Sequence, residues 1–67
     1  MEPTTEQKKA VITALISEFQ RTSYTHEVMG KTWQTIGNAE AAKKSAEALA
    51  EATKAIAELQ RQLDALE

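Results

Sequence analysis

From Ile12 onward the residues Ile12, Leu15, Phe19, Thr22, His26, Met29, Trp33 and Ile36 follow one another in alternating steps of three and four. That spacing lines them along one stripe of an α-helix as a heptad seam. Gly37 ends the stripe. It is suited to the left-handed position just past a helix terminus, because it has no Cβ to clash. A second seam follows Asn38: Ala42, Ser45, Leu49, Ala52, Ile56, Leu59, Leu63 and Leu66 repeat the same stepping.

The pattern predicts an all-α chain with one helix over about 5–36, a turn at 37–38 and a second helix over about 39–66. A two-residue turn between seams of nearly equal length brings the helices together as an antiparallel hairpin, one domain spanning residues 1–67. Thr4 with Gln7 three residues later has the spacing of a capping box for the first helix. Asn38 is placed to cap the second, with Glu40 in its first turn favourable to the helix dipole. The stretch Arg21 to His26 collects mediocre helix formers. The unbroken seam predicts that one helix runs through it; the alternative is a kink near Ser23.

Folding the chain at Gly37-Asn38 predicts the pairing by counting. Trp33 falls near Ala42, Met29 near Ser45 and Ala46, His26 near Leu49, Phe19 near Ile56, Leu15 near Leu59 and Ile12 near Leu63. Gly30 comes close to Ala46. Lys8 and Lys9 then lie beside Asp64 and Glu67, offsetting charges that each oppose their own helix dipole. Lys43/Glu47, Glu40/Lys44 and Lys54/Glu58 are spaced for i,i+4 pairs worth a few tenths of a kcal/mol each.

Size changes the picture. A chain of 67 residues buries only about 60% of its unfolded surface, and such domains need a staple. With no Cys and one His, a disulfide, a thiolate metal site and a multi-histidine site are all excluded. No cofactor or metal is expected. Oligomerisation or unusually good helix packing must supply the remainder. Val11 and Ile16 widen the apolar stripe beside Ile12, Leu15 and Phe19 beyond what a second helix covers, so these five are expected at the interface of a four-helix-bundle-like homodimer.

The net charge of −2, with acids and bases interspersed, argues against a polyanion partner. The one basic cluster, Lys31, Lys43 and Lys44, is diluted by Glu27, Glu40 and Glu47. No apolar run approaches the 18 to 20 or so residues of a membrane span. Lys8-Lys9 before an apolar stretch resembles a secretion signal, but Glu18 interrupts it and no small-residue cleavage site follows. A cytoplasmic location is expected.

Chemistry is sparse. Ser23 near His26 lacks a third group or an oxyanion donor, and no Gly-rich phosphate loop or Cys nucleophile is present, so no enzymatic activity is expected. Three groups of residues stand out as candidates. Arg21, Tyr24 and the edge of Trp33 are expected to contact a partner, since Trp, Tyr and Arg dominate interface hot spots. Trp33 is otherwise a core plug beside the turn. Thr22, Thr25 and His26 form a polar centre in the first helix, either fixing register and oligomer number or lining a small-ligand pocket. The composite expectation is a non-catalytic homodimeric hairpin that binds and modulates, or inhibits, a larger protein, as phage or mobile-element accessory proteins do. The alternatives are an assembly protein acting by self-association and a small-ligand binder.

Overall fold

The computed structural model describes residues 2–67 and consists of two helices, α1 (Thr5–Thr35) and α2 (Ala39–Ala65), packed along their length as a hairpin measuring 51 × 17 × 14 Å. α1 passes through Arg21 to His26 without a break. Continuous pairing with α2 outweighs the weak local propensity there, which amounts to a few tenths of a kcal/mol per residue.

Each helix terminus is closed by the chemistry its sequence supplies. At the start of α1 the Gln7 N–H donates to Thr4 Oγ1 at 3.1 Å and the Thr4 N–H donates to Gln7 Oε1 at 2.8 Å. Two otherwise orphaned donors are thereby satisfied reciprocally. At the turn Gly37 adopts φ +85°, the Asn38 N–H donates to the Trp33 carbonyl at 2.8 Å and the Gly37 N–H to the Gln34 carbonyl at 3.2 Å. This pair of bonds is a Schellman motif. The Asn38 side chain at once begins α2, with Oδ1 accepting from the Ala41 N–H at 3.0 Å. One residue thus serves both helices, which is why the connection is so short.

Two observations at opposite ends fix the register. A Cβ built on Gly30 would lie 3.7 Å from Ser45 Cβ, and Lys9 Nζ lies 4.0 Å from Glu67 Oε1. The antiparallel counting therefore holds over the full length. Of the expected i,i+4 pairs, Glu40–Lys44 forms at 3.9 Å. Lys54 instead meets Glu51 at 3.6 Å, and Glu58 is taken by Arg61. The planar guanidinium donates Nε–H and Nη2–H to the two carboxylate oxygens at 2.9 and 2.7 Å, a geometry an ammonium cannot match.

The rotation of α1 about its own axis differs from the simplest reading of its pattern. Lys9, Ile12, Ile16, Phe19, Ser23, His26, Gly30 and Trp33 are turned toward α2, while Leu15, Thr22, Met29 and Ile36 are exposed. Both rows share the same three-four stepping through Ile12, Phe19, His26 and Trp33, so periodicity does not choose between them. Packing chooses. The facing part of α2 is small, with Ala42, Ser45 and Ala52 the only buried residues among those described. Ser23 and Gly30 let the backbones approach this surface; Thr22 and Met29 in their place would hold the helices apart. The eight expected seam residues of α2 are all buried or half-buried, flanked by half-buried Ala41, Ala48 and Ala55.

Two substitutions test the backbone account. Gly37→Ala forces a Cβ into the left-handed region and should cost about 1–2 kcal/mol. Gly30→Ala meets only ordinary van der Waals contact and gains about 0.8–1 kcal/mol of helix propensity. Thermal unfolding should therefore show the first lowered and the second raised, by roughly 4–8 °C per kcal/mol. Destabilisation by Gly30→Ala would mean the helices approach more closely than a methyl allows.

Candidate interaction faces

In an antiparallel pair the residues beside the seam form two open sides, and here the two differ in character. On one, α1 contributes Lys8, Leu15, Thr22 and Met29 at seven-residue intervals, followed by its C-cap Ile36, and α2 contributes Ala41, Ala48, Ala55 and Gln62. Two grooves confirm that these rows border the same side. Met29, His26 and Trp33 line one with Ala41, Lys44 and Ser45; Lys8, Val11 and Ile12 line the other with Gln62, Ala65 and Leu66. The opposite side carries Thr13, Gln20, Glu27 and Gln34 on α1, and Ala46, Thr53 and Gln60 on α2, with Glu67 just past its end. Its groove is lined by Glu27, Gly30, Lys31 and Gln34 with Ala42 and Ala46. One side is apolar and the other polar.

The apolar side is poorly covered. Val11 is 59% exposed, Leu15 42%, Met29 40% and Ile36 65%. No large side chain in the described chain is fully buried. Of the five residues expected at a dimer interface, Ile12, Ile16 and Phe19 are half-buried against α2, whereas Val11 and Leu15 face outward.

The three residues expected to meet a partner are not brought together. Arg21 is exposed and Tyr24 is 67% exposed. Tyr24 shares a shallow depression with Glu27, Val28, Lys31, Thr32, Thr35 and Ile36, all from α1, so it lies on the outer face of that helix. Trp33 is half-buried and lies against Ala41 and Ser45 in the seam. Val28, which stands outside the expected seam and candidate groups, adds apolar surface beside Tyr24 and is 44% exposed. A Val on the face opposite the seam was the available signal.

The expected polar centre is divided in the same way. Thr22 and Thr25 are exposed, and the Thr25 hydroxyl donates to the Arg21 carbonyl at 3.0 Å. Thr32 and Thr35 do likewise to Val28 and Lys31 at 2.8 and 2.9 Å. These hydroxyls are satisfied within their own helix. His26 is instead in the seam, and its Nδ1 and Ser23 Oγ are buried without a hydrogen-bond partner. Leaving such groups unpaired costs about 1–3 kcal/mol each. Ser23 and His26 therefore oppose stability at mid-hairpin, as polar seam residues that restrict register do. Among the described residues no group of three His, Cys, Asp or Glu side chains is placed to hold a metal ion, and no helix is long and apolar enough to cross a membrane.

One carboxylate is electrostatically distinct. Hydrogen bonds from Arg61, then one from Gln62 Nε2 at 2.9 Å, hold the Glu58 carboxyl down at about 2 from its ordinary 4.5. Arg61 is raised in turn by the same contact. The group lies at the surface, so this organises the charge of α2 more than it adds stability. The chain matches no family model, no curated protein and no solved structure.

Two measurements follow from this geometry. Ser23→Ala and His26→Leu should each raise the melting temperature, since each removes a buried polar atom without a partner and adds a better helix former. A lowered melting temperature for His26→Leu would reveal a partner for Nδ1. Carboxyl titration by NMR should place Glu58 near 2 and return it toward 4.5 in Arg61→Ala. Because the folded value is depressed, the stability linked to Glu58 is present above 4.5 and lost as pH falls toward 2. Arg61→Ala should therefore flatten the decline in melting temperature across that window only slightly, because the pair is exposed and screened by solvent.

Proposed function

We propose that this hairpin is a non-catalytic protein-interaction module. It self-associates through its apolar side and docks on a larger protein, modulating or inhibiting it, in the cytoplasm and in the manner of a phage or mobile-element accessory protein. The observation that carries the reading is the division of exposed side chains between two faces of α1. The side bearing Leu15 and Met29 borders the alanines of α2 and suits another helical surface. Arg21, Tyr24 and Val28 occupy a separate outer face that hairpin formation does not need.

Tyr and Arg on such a face have the chemistry of an interface anchor: a rigid aromatic surface with a hydroxyl, and a planar donor with five N–H groups. Trp33 contributes through the seam edge instead, beside Met29 and Ala41. It belongs with the self-associating side and not with Arg21 and Tyr24. A reading in which self-association is the whole function is favoured by the apolar side alone and leaves Tyr24 and Val28 unused. A small-ligand pocket at the polar centre loses support, because Thr25 is internally bonded and His26 lies in the seam between open grooves.

Capture from native lysate with wild-type protein and with an Arg21→Ala, Tyr24→Ala double variant tests the outer face. The variant should keep full helicity and its oligomeric state. It should lose the partner retained by wild type, since truncating a hot-spot residue costs about 2 kcal/mol or more. Equal capture by both proteins moves the docking surface elsewhere.

A further inference from the structure

We propose that a second copy of this chain covers the apolar side, with the two-fold axis running along the hairpin's length, so that α1 of each copy lies on α2 of the other and both turns sit at the same end. This rests on the self-association proposed above and adds the surface, the occupant and the arrangement.

The extent of exposed surface points to an occupant of this size. A folded monomer of 7.4 kDa exposes about 4,200 Å². This hairpin exposes 5152 Å², an excess of about 950 Å². A standard specific interface removes about 800 Å² from each partner. Covering one side of the hairpin with an equal hairpin accounts for the difference. The polar row Thr13, Gln20, Glu27 and Gln34 on the other side has no comparable need of cover.

The apolar side is also complementary to itself. Its α1 row carries large side chains and its α2 row carries alanines. A two-fold axis along the length places large on small at both contacts of the dimer. An axis across the length would set Leu15 and Met29 of both copies against each other and alanine against alanine, giving unequal helix separations.

Rotation about the long axis leaves every residue at its own height, so the monomer's register dictates how the copies mesh. Gly30 and Ser45 stand at one level, and the remaining levels follow by counting in opposite directions. Met29 stands between the heights of Ala41 and Ala48, Thr22 between Ala48 and Ala55, and Leu15 between Ala55 and Gln62. Met29 and Thr22 of one copy therefore fall into gaps between two alanines of the other, and Leu15 into the gap between Ala55 and Gln62, as knobs enter holes. Adjacent helices are antiparallel throughout, which also opposes their dipoles.

The test joins sedimentation equilibrium to pulsed dipolar spectroscopy with a nitroxide at Glu40→Cys, an exposed position beside the turn. The labelled chain is expected to be dimeric across the micromolar range, with a spin–spin distance of about 30 Å, set by the diagonal of a four-helix bundle. A dimer with a distance beyond about 40 Å places the turns at opposite ends, since the helices are that long. That outcome overturns the arrangement and leaves self-association standing. A helical monomer at every concentration overturns both. Surface charge variants identify the side used. Met29→Glu and Ala48→Glu should each shift the dimer to monomer and lower the melting temperature, while Gln20→Glu and Thr53→Glu on the polar side should leave it dimeric with its melting temperature unchanged. The reverse pattern overturns the assignment of the apolar side.

Discussion

The close approach of α1 to α2 at Gly30 and Ser45 constrains everything else in this hairpin. The facing surface of α2 is built from alanine and serine, and only small residues on α1 can meet it without forcing the backbones apart. Placing Gly30 and Ser23 at the contact rotates α1 so that Ile16 turns in with Ile12 and Phe19. The same rotation sends Leu15, Thr22 and Met29 to one flank and sets Tyr24 and Val28 on the outer face, with Ile36 at its edge. A bulky residue at position 30 would alter the rotation, and with it which surface of the molecule is apolar. The exposed faces of the molecule are a consequence of a contact in which they take no part.

That contact also explains why the isolated hairpin has so little interior. Two helices joined through alanines, a glycine and two serines lie close together but remove little apolar area from water, and burial supplies roughly 25 cal/mol per Å². Mid-hairpin, Ser23 Oγ and His26 Nδ1 are desolvated without a partner, which opposes stability further. The larger apolar side chains near the termini, Ile12, Ile16 and Phe19 on α1 with Ile56, Leu59 and Leu63 on α2, carry most of the burial and are only half covered. Its caps and register are well determined, while much of its apolar surface stays exposed.

Both ends and the turn were legible in the residues alone, because they depend on local chemistry. A capping box needs only Thr4 and Gln7 at the right spacing. The turn needs only a Gly that tolerates a positive φ and an Asn that caps. The register followed as well, since a two-residue turn leaves one way to count along two helices, and Lys9 beside Glu67 shows that the count survives to the termini. The seam of α2 was equally plain: its large residues have no rival row.

The rotation of α1 could not be read from its pattern. Two rows with the same three-four rhythm share Ile12, Phe19, His26 and Trp33, and hydrophobicity favours the wrong one, Leu15 and Met29 over Ser23 and Gly30. Steric fit with a surface contributed by the other helix decides the matter, and that surface exists only once the chain has folded. For the same reason the sequence marked Arg21, Tyr24 and Trp33 as distinctive without showing that they lie on different sides, and passed over Val28. Helix content, caps, turn and register are set by residues that are near neighbours or fixed by counting. Which side chains cover the seam and which remain exposed is set by the distance at which two helices can pack.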